Sequence, residues 1–288
     1  MEASISFKYP LRYVTTRGEE LHLVSDKHEI KRVRMYINGL DENIQGGVPE
    51  GHLTLVCGAA GTMKSSVCFN ILYHEAINGT NGLYVSLEQS AESLVNHMVN
   101  LDYDFSKINL VIVKDLAELG TRLASVSHNR GSLFIVDIGC IRKEIRDIQT
   151  DNNKSWINVI KNVIKKISVE SNTKLFVLDS LSALYVLSRF ENPRIELFNI
   201  FEFLRDMNIT SFMISEMPLD GSKFSEYGIE DFLADSIIVI KLTPFRRQVV
   251  REISVVKMRA TACNNDIFSL EFKNGQFYAL YGGQNPLL

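Results

Sequence analysis

The sequence HLTLVCGAAGTMKSS, residues 52–66, joins a short apolar segment to a glycine-rich turn and a lysine–serine pair. The segment before Gly58 is β-prone, and from Lys64 to about Ile77 apolar residues recur at helical spacing, at Val67, Ile71 and Ala76. A strand, a glycine-rich turn and a helix in this order, with Lys-Ser at the start of the helix, are typical of a phosphate-binding loop. The stretch therefore predicts a site for the phosphates of a nucleotide.

A loop of this type binds phosphate oxygens through its backbone N–H groups, assisted by the N-terminus of the following helix. Lys64 is expected to reach the β- and γ-phosphates, and the Ser65 hydroxyl is expected to be a ligand of Mg²⁺. The predicted ligands are therefore ATP or ADP and Mg²⁺. The predicted phosphate-binding residues are Gly58, Ala59, Ala60, Gly61, Thr62, Met63, Lys64, Ser65 and Ser66.

One position departs from the consensus of this motif, which has glycine before the lysine where this chain has Met63. Glycine supplies backbone freedom beside the phosphates, whereas Met63 carries a Cβ and must direct its side chain away from the nucleotide. Two alternatives to an active site therefore stay open. The turn is inert, or it binds nucleotide while hydrolysis is lost through strain at the site.

Composition and charge exclude several classes of protein. The 288 residues are 45% hydrophobic and 23% charged, and 31 basic and 34 acidic residues give a formal net charge of −3, so nothing requires nucleic acid or an anionic membrane. The four cysteines lack the spacing of zinc ligands and fit a reducing compartment. The opening MEASISFKYP has no signal-peptide core and no apolar run approaches ~18 residues, so a cytoplasmic protein without a membrane span is predicted.

Beyond the phosphate loop, short apolar runs alternate with segments of helical periodicity. This alternation predicts an α/β fold in which helices flank both faces of a mostly parallel sheet. After Pro244 strands follow one another without helices, which predicts antiparallel strands at the C-terminal edge. The predicted strands are residues 52–57, 82–87, 110–113, 133–138, 175–179, 209–214, 236–240, 249–258, 267–272 and 276–280, and the predicted helices are 64–77, 91–101, 155–168 and 195–207.

Two apolar runs end in an aspartate, LFIVD at Asp137 and LFVLD at Asp179. An aspartate at the end of a buried strand is the Walker B residue of a P-loop protein, which helps to hold Mg²⁺. The two runs alone leave both aspartates open for this role.

Six segments, taken in order, resemble the KaiC-like branch of the RecA ATPase superfamily. The resemblance runs from about residue 34 to 280 and implies a RecA-like P-loop NTPase fold, with residues 1–33 as an N-terminal extension and 34–288 as one ATPase domain. Many members form six-membered rings with ATP at the subunit interfaces, so a homohexamer is implied. The clock protein after which the family is named carries two such domains, whereas this chain carries one. The segments are NGLDENIQGGVPEGH (38–52), GAAGTMKSS (58–66), LYVSLEQS (83–90), LFVLDSLSAL (175–184), EDFLADSIIVI (230–240) and VVKMR (255–259).

The resemblance identifies Glu88 as the acidic residue that polarises the attacking water. A carboxylate at the C-terminal end of this strand lies beside the γ-phosphate pocket of an open α/β sheet. The second glutamate that often follows is Gln89 here, which weakens any role for a carboxylate pair. The alternative for Glu88 is a solvated glutamate in a loop.

The resemblance also favours Asp179 over Asp137 as the Mg²⁺-binding residue, because Asp179 is followed by Ser180 and the family-like LSAL, and later by a strand ending at Ser215-Glu216. This choice implies an insertion within residues 105–150. Ser215 and Glu216 either sense the γ-phosphate or form a plain strand end.

Lys257 and Arg259 flank Met258 in the VVKMR segment and, on a strand, point to the same face. In the family this pair reaches the ATP site of the next subunit and acts as an arginine finger, which places positive charge against the charge that develops in phosphoryl transfer. The alternative is an edge strand decorated with charge against aggregation.

The function implied is that of an Mg²⁺-dependent ATPase that forms a ring and whose nucleotide state is read by a partner protein. A non-hydrolysing nucleotide sensor and a recombination-type paralogue acting on DNA are the alternatives. The basic stretches are residues 31–34 and Arg246, Arg247 and Arg251. With a net charge of −3 and no interleaved aromatic residues, a solvated or intersubunit face is favoured over a DNA site.

Overall fold

The computed structural model of the chain describes residues 12–14, 20–22, 30–124, 126, 129–147, 156–188, 192–218, 223–225 and 228–281. The chain divides into two units, Met1–Lys31 and Arg32–Leu288. In the first unit, strand β1 (Arg12–Val14) pairs with β2 (Glu20–His22) in antiparallel register. Most of the N-terminal extension predicted for residues 1–33 lies outside the described residues.

The second unit alternates strands and helices, as its apolar periodicity predicts. Its strands are β3 (Arg32–Val33), β4 (Ile37–Asn38), β5 (Val48–Pro49), β6 (Leu53–Gly58), β7 (Gly82–Ser86), β8 (Asn109–Val113), β9 (Ser132–Asp137), β10 (Leu175–Asp179), β11 (Thr210–Glu216), β12 (Ser236–Phe245), β13 (Gln248–Met258), β14 (Phe268–Lys273) and β15 (Gln276–Tyr281). Its α-helices are α1 (Lys64–Ile77), α2 (Ala91–Val99), α3 (Leu119–Ala124), α4 (Ile138–Asp147), α5 (Trp156–Ser171), α6 (Leu181–Ser188), α7 (Pro193–Asp206) and α8 (Glu230–Leu233). Short 3₁₀ turns cover Asp41–Ile44, Phe105–Lys107 and Leu116–Glu118.

Within the described residues, eleven of these strands form one sheet in the order β4-β15-β14-β13-β12-β6-β11-β10-β7-β9-β8. All pairs from β12 to β8 are parallel, whereas β12, β13, β14 and β15 pair with one another in antiparallel register. The predicted α/β fold, mostly parallel with antiparallel strands at the C-terminal edge, is confirmed. The described parts of 105–150, where an insertion was predicted, include β8 and β9 at the opposite edge.

Both faces of the parallel sheet are buried, because successive side chains along each strand enter different cores. In β6, Val56 belongs to one hydrophobic cluster, while Leu55 and Cys57 belong to the other. Helices α1 and α2 pack on the first face, and α5, α6 and α7 pack on the second. This double burial explains why the parallel strands appear in the sequence as continuous apolar runs.

The hairpin of β12 and β13 is longer than its sequence predicts. The strand predicted for 236–240 continues through Pro244 to Phe245, five residues beyond Ile240, which is the last residue to pair with β6. Phe245 and Val249 at its tip are exposed. None of the helices in the described part of the chain is both long and apolar enough to cross a bilayer.

Two arginines of the basic stretch 31–34 make contacts within the second unit. Arg32 donates from Nη1 to the Gly47 carbonyl at 3.0 Å and to Thr261 Oγ1 at 2.8 Å. The Arg34 Nε atom lies 3.5 Å from the buried Asp41 carboxylate, which also accepts the Met35 N–H at 2.8 Å. Burial raises the pKa of Asp41 to about 6 despite these contacts. Arg32 and Arg34 thus bind groups of their own chain.

Candidate functional site

The carboxyl ends of four neighbouring parallel strands, β6, β11, β10 and β7, meet at one edge of the sheet. In register, Glu216 of β11 pairs with Gly58, and Asp179 of β10 pairs with Ser86. The loops that follow these strand ends line a cleft of about 530 Å³. Its lining residues are Ala60, Gly61, Thr62, Met63, Lys64, Ser65, Ser66, Glu88, Gln89, His97, Asp179, Ser180, Ile214, Glu216 and Arg251.

The predicted phosphate loop connects β6 to α1, which begins at Lys64. The buried Lys64 ammonium donates to the carbonyls of Gly58 and Ala59, both at 2.9 Å. Burial lowers the pKa of Lys64, while the carboxylates of Glu216, Asp179 and Glu88 oppose this shift. Lys64 therefore lies at the start of a helix with acidic neighbours from three strand ends.

Two residues turn the loop through left-handed backbone conformations. Gly61 has φ +79°, and Met63, at the position where the motif has glycine, has φ +73°. A Cβ at Gly58 would lie 2.3 Å from the Ile240 carbonyl oxygen, so only glycine fits there. The half-buried Met63 side chain packs against the core on the α1 face. The chain therefore adopts the turn with methionine, at the conformational cost that a Cβ imposes.

This conformation predicts that glycine is more stabilising than alanine at position 63, the reverse of their order within a helix. Met63→Gly should be more stable than Met63→Ala by about 1 kcal/mol, because a left-handed residue with a Cβ is strained and glycine is not. At Asn162, an exposed position within α5, the Ala variant should be more stable to unfolding than the Gly variant by about 1 kcal/mol. Urea unfolding of the four variants measures both differences. An Ala variant at 63 as stable as the Gly variant would contradict a left-handed Met63.

Asp179, the last residue of β10, lies beneath the phosphate loop and is buried. Its Oδ2 atom accepts the Tyr84 hydroxyl at 2.5 Å, and the Ser65 hydroxyl lies near the carboxylate. Burial raises the pKa of Asp179, and the Tyr84 and Ser65 hydroxyls oppose that rise. Ser65 and Asp179 thus offer a hydroxyl and a carboxylate oxygen side by side, a donor set that fits Mg²⁺.

Asp137, the other aspartate that ends an apolar run, has a different environment. Its Oδ2 accepts the Ala91 N–H at 3.0 Å, and its Oδ1 accepts the Cys140 N–H at 3.1 Å. Asp137 therefore caps the first turns of α2 and α4. Of the two aspartates, Asp179 lines the cleft beside the phosphate loop and Asp137 does not, so Asp179 stays the proposed Mg²⁺ ligand.

Glu88 lies two residues beyond the end of β7, and its side chain is exposed to the cleft. The strand ends are tied together, since the Leu87 N–H donates to the Asp179 carbonyl at 2.6 Å. The Ser180 hydroxyl donates to Glu88 Oε1 and accepts the Ala183 N–H at 3.2 Å. The Asp179–Ser180 peptide bond is cis. Glu88 is thus an exposed carboxylate with one oxygen held beside the phosphate loop.

Glu216 ends β11, the strand between β6 and β10, and is exposed in the cleft. Its N–H donates to Ser182 Oγ at 3.3 Å. Ser215, which precedes it, is buried, so its side chain points into the fold. Of the two residues considered for γ-phosphate sensing, only Glu216 lines the cleft.

Three polar residues of the lining were assigned no role at this site by the sequence argument. His97 on α2 places Nε2 3.3 Å from Ser66 Oγ, Arg251 on β13 places Nη2 3.5 Å from the Gly61 carbonyl, and Ser180 orients Glu88. His97 and Arg251 are distant from the loop in sequence, and no local pattern indicates that they approach it. The sequence could have indicated Ser180 as a site residue, because it directly follows Asp179 in a family-like segment.

Lys257 and Arg259 lie toward the other end of the sheet. Lys257 pairs with Ile237, which pairs in turn with Leu55, and the Arg259 N–H donates to the Asp235 carbonyl at the level of Leu53. Leu53 and Gly58 are five residues apart on β6, or about 17 Å along the strand. The structure therefore does not bring Arg259 to the phosphate loop of its own chain.

A second cleft of about 940 Å³ adjoins the first and shares Met63 and Arg251 with it. It lies between the tip of the β12–β13 hairpin and β14, and it combines apolar with basic side chains. Besides the two shared residues, its lining includes Phe245, Arg246, Arg247, Val249, Leu270, Phe272 and Lys273.

Comparison with known proteins identifies the family of this chain. A family model described as the ATPase KaiC matches residues 33–112 and 109–277. The chain belongs to the KaiC ATPase family. The resemblance carried by the six sequence segments is thereby confirmed, and membership indicates an ATP-binding domain of the RecA superfamily.

Relatives in this family are distant in sequence. The circadian clock oscillator protein KaiC of Picosynechococcus sp. is 25% identical over 236 residues, 81% of this chain and 41% of the relative. A UPF0273 protein of Sulfurisphaera tokodaii is 27% identical over 236 residues, 80% of this chain and 76% of the relative. The chain thus spans about two fifths of the length of the clock proteins that it matches.

A solved structure shares the fold over nearly its whole length. The crystal structure of a KaiC-like protein from the hyperthermophilic archaeon Pyrococcus horikoshii OT3 matches with a TM-score of 0.67 and 26% sequence identity. The match covers 87% of this chain and 99% of the archaeal one.

Proposed function

We propose that the protein binds ATP with Mg²⁺ at residues 58–66 and hydrolyses it within a ring of identical subunits, most simply six. The observation that carries the proposal is the convergence of Lys64, Asp179 and Glu88 on one cleft at the carboxyl edge of the sheet. Family membership supports the nucleotide, and the donor set supports the metal.

The phosphate loop supplies the binding part of this proposal. Its backbone N–H groups and the start of α1 favour phosphate oxygens, and the Lys64 ammonium adds a point charge for the β- and γ-phosphates. Ser65 and Asp179 would hold Mg²⁺, which when bound neutralises charge on the phosphate oxygens. The adjoining cleft, with Phe245 and Phe272 in its wall, suits the base and ribose.

Glu88 supplies the proposed general base. Its exposed carboxylate accepts the Ser180 hydroxyl on one oxygen, which leaves the second oxygen to orient and deprotonate a water. The residue following Glu88 is Gln89, so the proton has one carboxylate acceptor at this strand end.

The position of Lys257 and Arg259 supports a ring. Both lie away from the phosphate loop of their own chain, so their charge serves hydrolysis only if it reaches the site of a neighbouring subunit. An interface that repeats head to tail closes into a ring when its rotation closes. A ring whose interfaces hold ATP changes shape with nucleotide state, and we propose that a partner protein reads that state.

Lys64→Ala tests the binding part of the proposal. Loss of a charge paired with phosphate should weaken ATP affinity by at least about tenfold in calorimetry with Mg²⁺. Lys165→Ala removes an exposed lysine from α5, far along the chain from the loop, and should bind ATP as the parent does. Equal ATP affinity for Lys64→Ala and the parent would overturn the site.

A non-hydrolysing sensor is the second candidate, and the left-handed Met63 is the observation that favours it. Steady-state phosphate release from the parent protein separates the two. Tight ATP binding without release of phosphate above the blank would replace the ATPase proposal with the sensor.

A further inference from the structure

Asp235, which directly precedes β12, holds Arg259 by two hydrogen bonds. The Arg259 N–H donates to the Asp235 carbonyl at 3.0 Å, and the Arg259 Nη1 donates to Asp235 Oδ1 at 2.8 Å. Arg205 from α7 approaches the same carboxylate oxygen, at 3.6 Å. One buried carboxylate therefore faces two arginines and orients one of them directly.

The carboxylate itself is fixed by the strand that carries the phosphate loop. The Leu53 N–H donates to Asp235 Oδ2 at 3.1 Å, and the Asp235 N–H donates to the Leu53 carbonyl at 2.9 Å. Asp235 thus uses its N–H, its carbonyl and both side-chain oxygens. Because hydrogen bonds hold Asp235 at these four groups, its carboxylate has little freedom and fixes the orientation of the Arg259 guanidinium that it binds.

Lys257 rests on the same short segment. Its Nζ donates to the Ala234 carbonyl at 2.6 Å and to the Asp231 carbonyl at 3.1 Å. Residues 231–235 therefore support both cations of the VVKMR segment, one through backbone carbonyls and the other mainly through the Asp235 carboxylate.

The geometry orients Arg259 without enclosing it. The Asp235 side chain is 12% exposed, whereas the Arg259 side chain is 54% exposed. A guanidinium has five N–H donors, so a bond from Nη1 to Asp235 leaves others for a second ligand. An exposed arginine has many rotamers, and a carboxylate that selects one of them preorganises the guanidinium for an incoming phosphate.

We infer that Asp235 is a positioning residue for hydrolysis, which presents Arg259 to the γ-phosphate held by the neighbouring subunit. The inference rests on the proposed function, in which Arg259 acts in trans. It goes beyond that proposal by giving a role to a residue remote from the nucleotide of its own chain.

Asp235→Asn tests the inference, because it keeps the side-chain shape and removes the charge that orients Arg259. Misplacing a catalytic group should lower kcat by about tenfold or more, while KM and the ATP affinity measured by calorimetry stay within about twofold of the parent. Glu202→Gln is the matched control, since Glu202 is a carboxylate paired with Arg205 that does not touch Arg259. It should hydrolyse at the parent rate.

Mixing experiments separate positioning from structural damage. Asp235→Asn subunits retain a phosphate loop, so mixing them with Lys64→Ala subunits, which retain the finger, should restore turnover. Mixing them with Arg259→Ala subunits should not, because every interface then lacks an oriented finger. A variant that is merely misfolded would have a lower melting temperature and would gain nothing from either partner, which would overturn the inference.

The outcomes also distinguish a failure of this inference from a failure of the proposed ring ATPase on which it rests. Parent-like turnover by Asp235→Asn, with Arg259→Ala inactive, would overturn the positioning role and leave the ring ATPase intact. Parent-like turnover by Arg259→Ala would overturn the proposed finger and the positioning role together.

Discussion

Glu88→Gln is expected to lower steady-state ATP turnover by about 100-fold or more while ATP affinity stays within about twofold of the parent. Glutamine keeps the length of the side chain and still accepts the Ser180 hydroxyl, but it cannot take a proton from water. In the proposed mechanism Glu88 acts in the chemical step, and the hydrogen bond described for its side chain goes to Ser180, so ATP binding should be retained. Phosphate release measures turnover, and calorimetry in the presence of Mg²⁺ measures affinity.

Glu92→Gln provides the matched control for this substitution. Glu92 is an exposed glutamate in the first turn of α2 that pairs with Lys114 at 2.7 Å, so the change removes the same charge close by in sequence. Its turnover should equal that of the parent. Parent-like turnover by Glu88→Gln as well would mean that the general base lies elsewhere in the cleft, with Glu216 as the other exposed carboxylate in its lining.

Periodicity was sufficient to predict the central strands, because burial of both faces leaves a continuous apolar signal. LFVLD predicts β10 over residues 175–179, and the spacing of Val67, Ile71 and Ala76 predicts α1 over 64–77; both agree with the structure. The extension of β12 to Phe245 was missed. Beyond Ile240 the strand pairs only with β13, so neither its exposure pattern nor Pro244 indicates a strand interior.

Strand order is a second property that the sequence could not supply. Periodicity identifies β9 and β10 equally well, and each ends in an aspartate. Only the order β6-β11-β10-β7-β9 puts Asp179 nearer the phosphate loop than Asp137, since β10 is two strands from β6 and β9 is four. The preference for Asp179 therefore came from the family resemblance, and the structure supplies its physical reason.

The site illustrates the same division between local and tertiary information. A consensus glycine at position 63 implies a special backbone conformation, and Met63 adopts it with φ +73°. No local rule brings His97 to Ser66 or Asp235 to Arg259, because these pairs are 31 and 24 residues apart and meet only through the packing of whole elements. Residues that act through such contacts become visible only in the folded chain.

Arg259→Ala and Lys64→Ala subunits, each inactive alone, are expected to recover activity when they are mixed. An arginine finger contributes about 1,000-fold or more to the rate of phosphoryl transfer, so Arg259→Ala alone should have almost no turnover. Lys64→Ala alone should also have almost no turnover, because its phosphate loop is impaired. In randomly mixed rings about one interface in four joins an intact phosphate loop to an intact finger. Turnover should therefore approach about a quarter of the parent value.

The control for this experiment replaces the Lys64→Ala subunit with one that carries both Lys64→Ala and Arg259→Ala. Its rings contain intact phosphate loops and no fingers, so turnover should stay at the level of Arg259→Ala alone. ATP bound at an interface stabilises the assembled state by linkage, so light scattering should detect rings that form at lower protein concentration with ATP and Mg²⁺. Co-assembled rings without recovery would mean that Arg259 works within its own subunit or not at all. A monomer at every concentration with ATP and Mg²⁺ would remove the ring, and with it any role for Arg259 in trans.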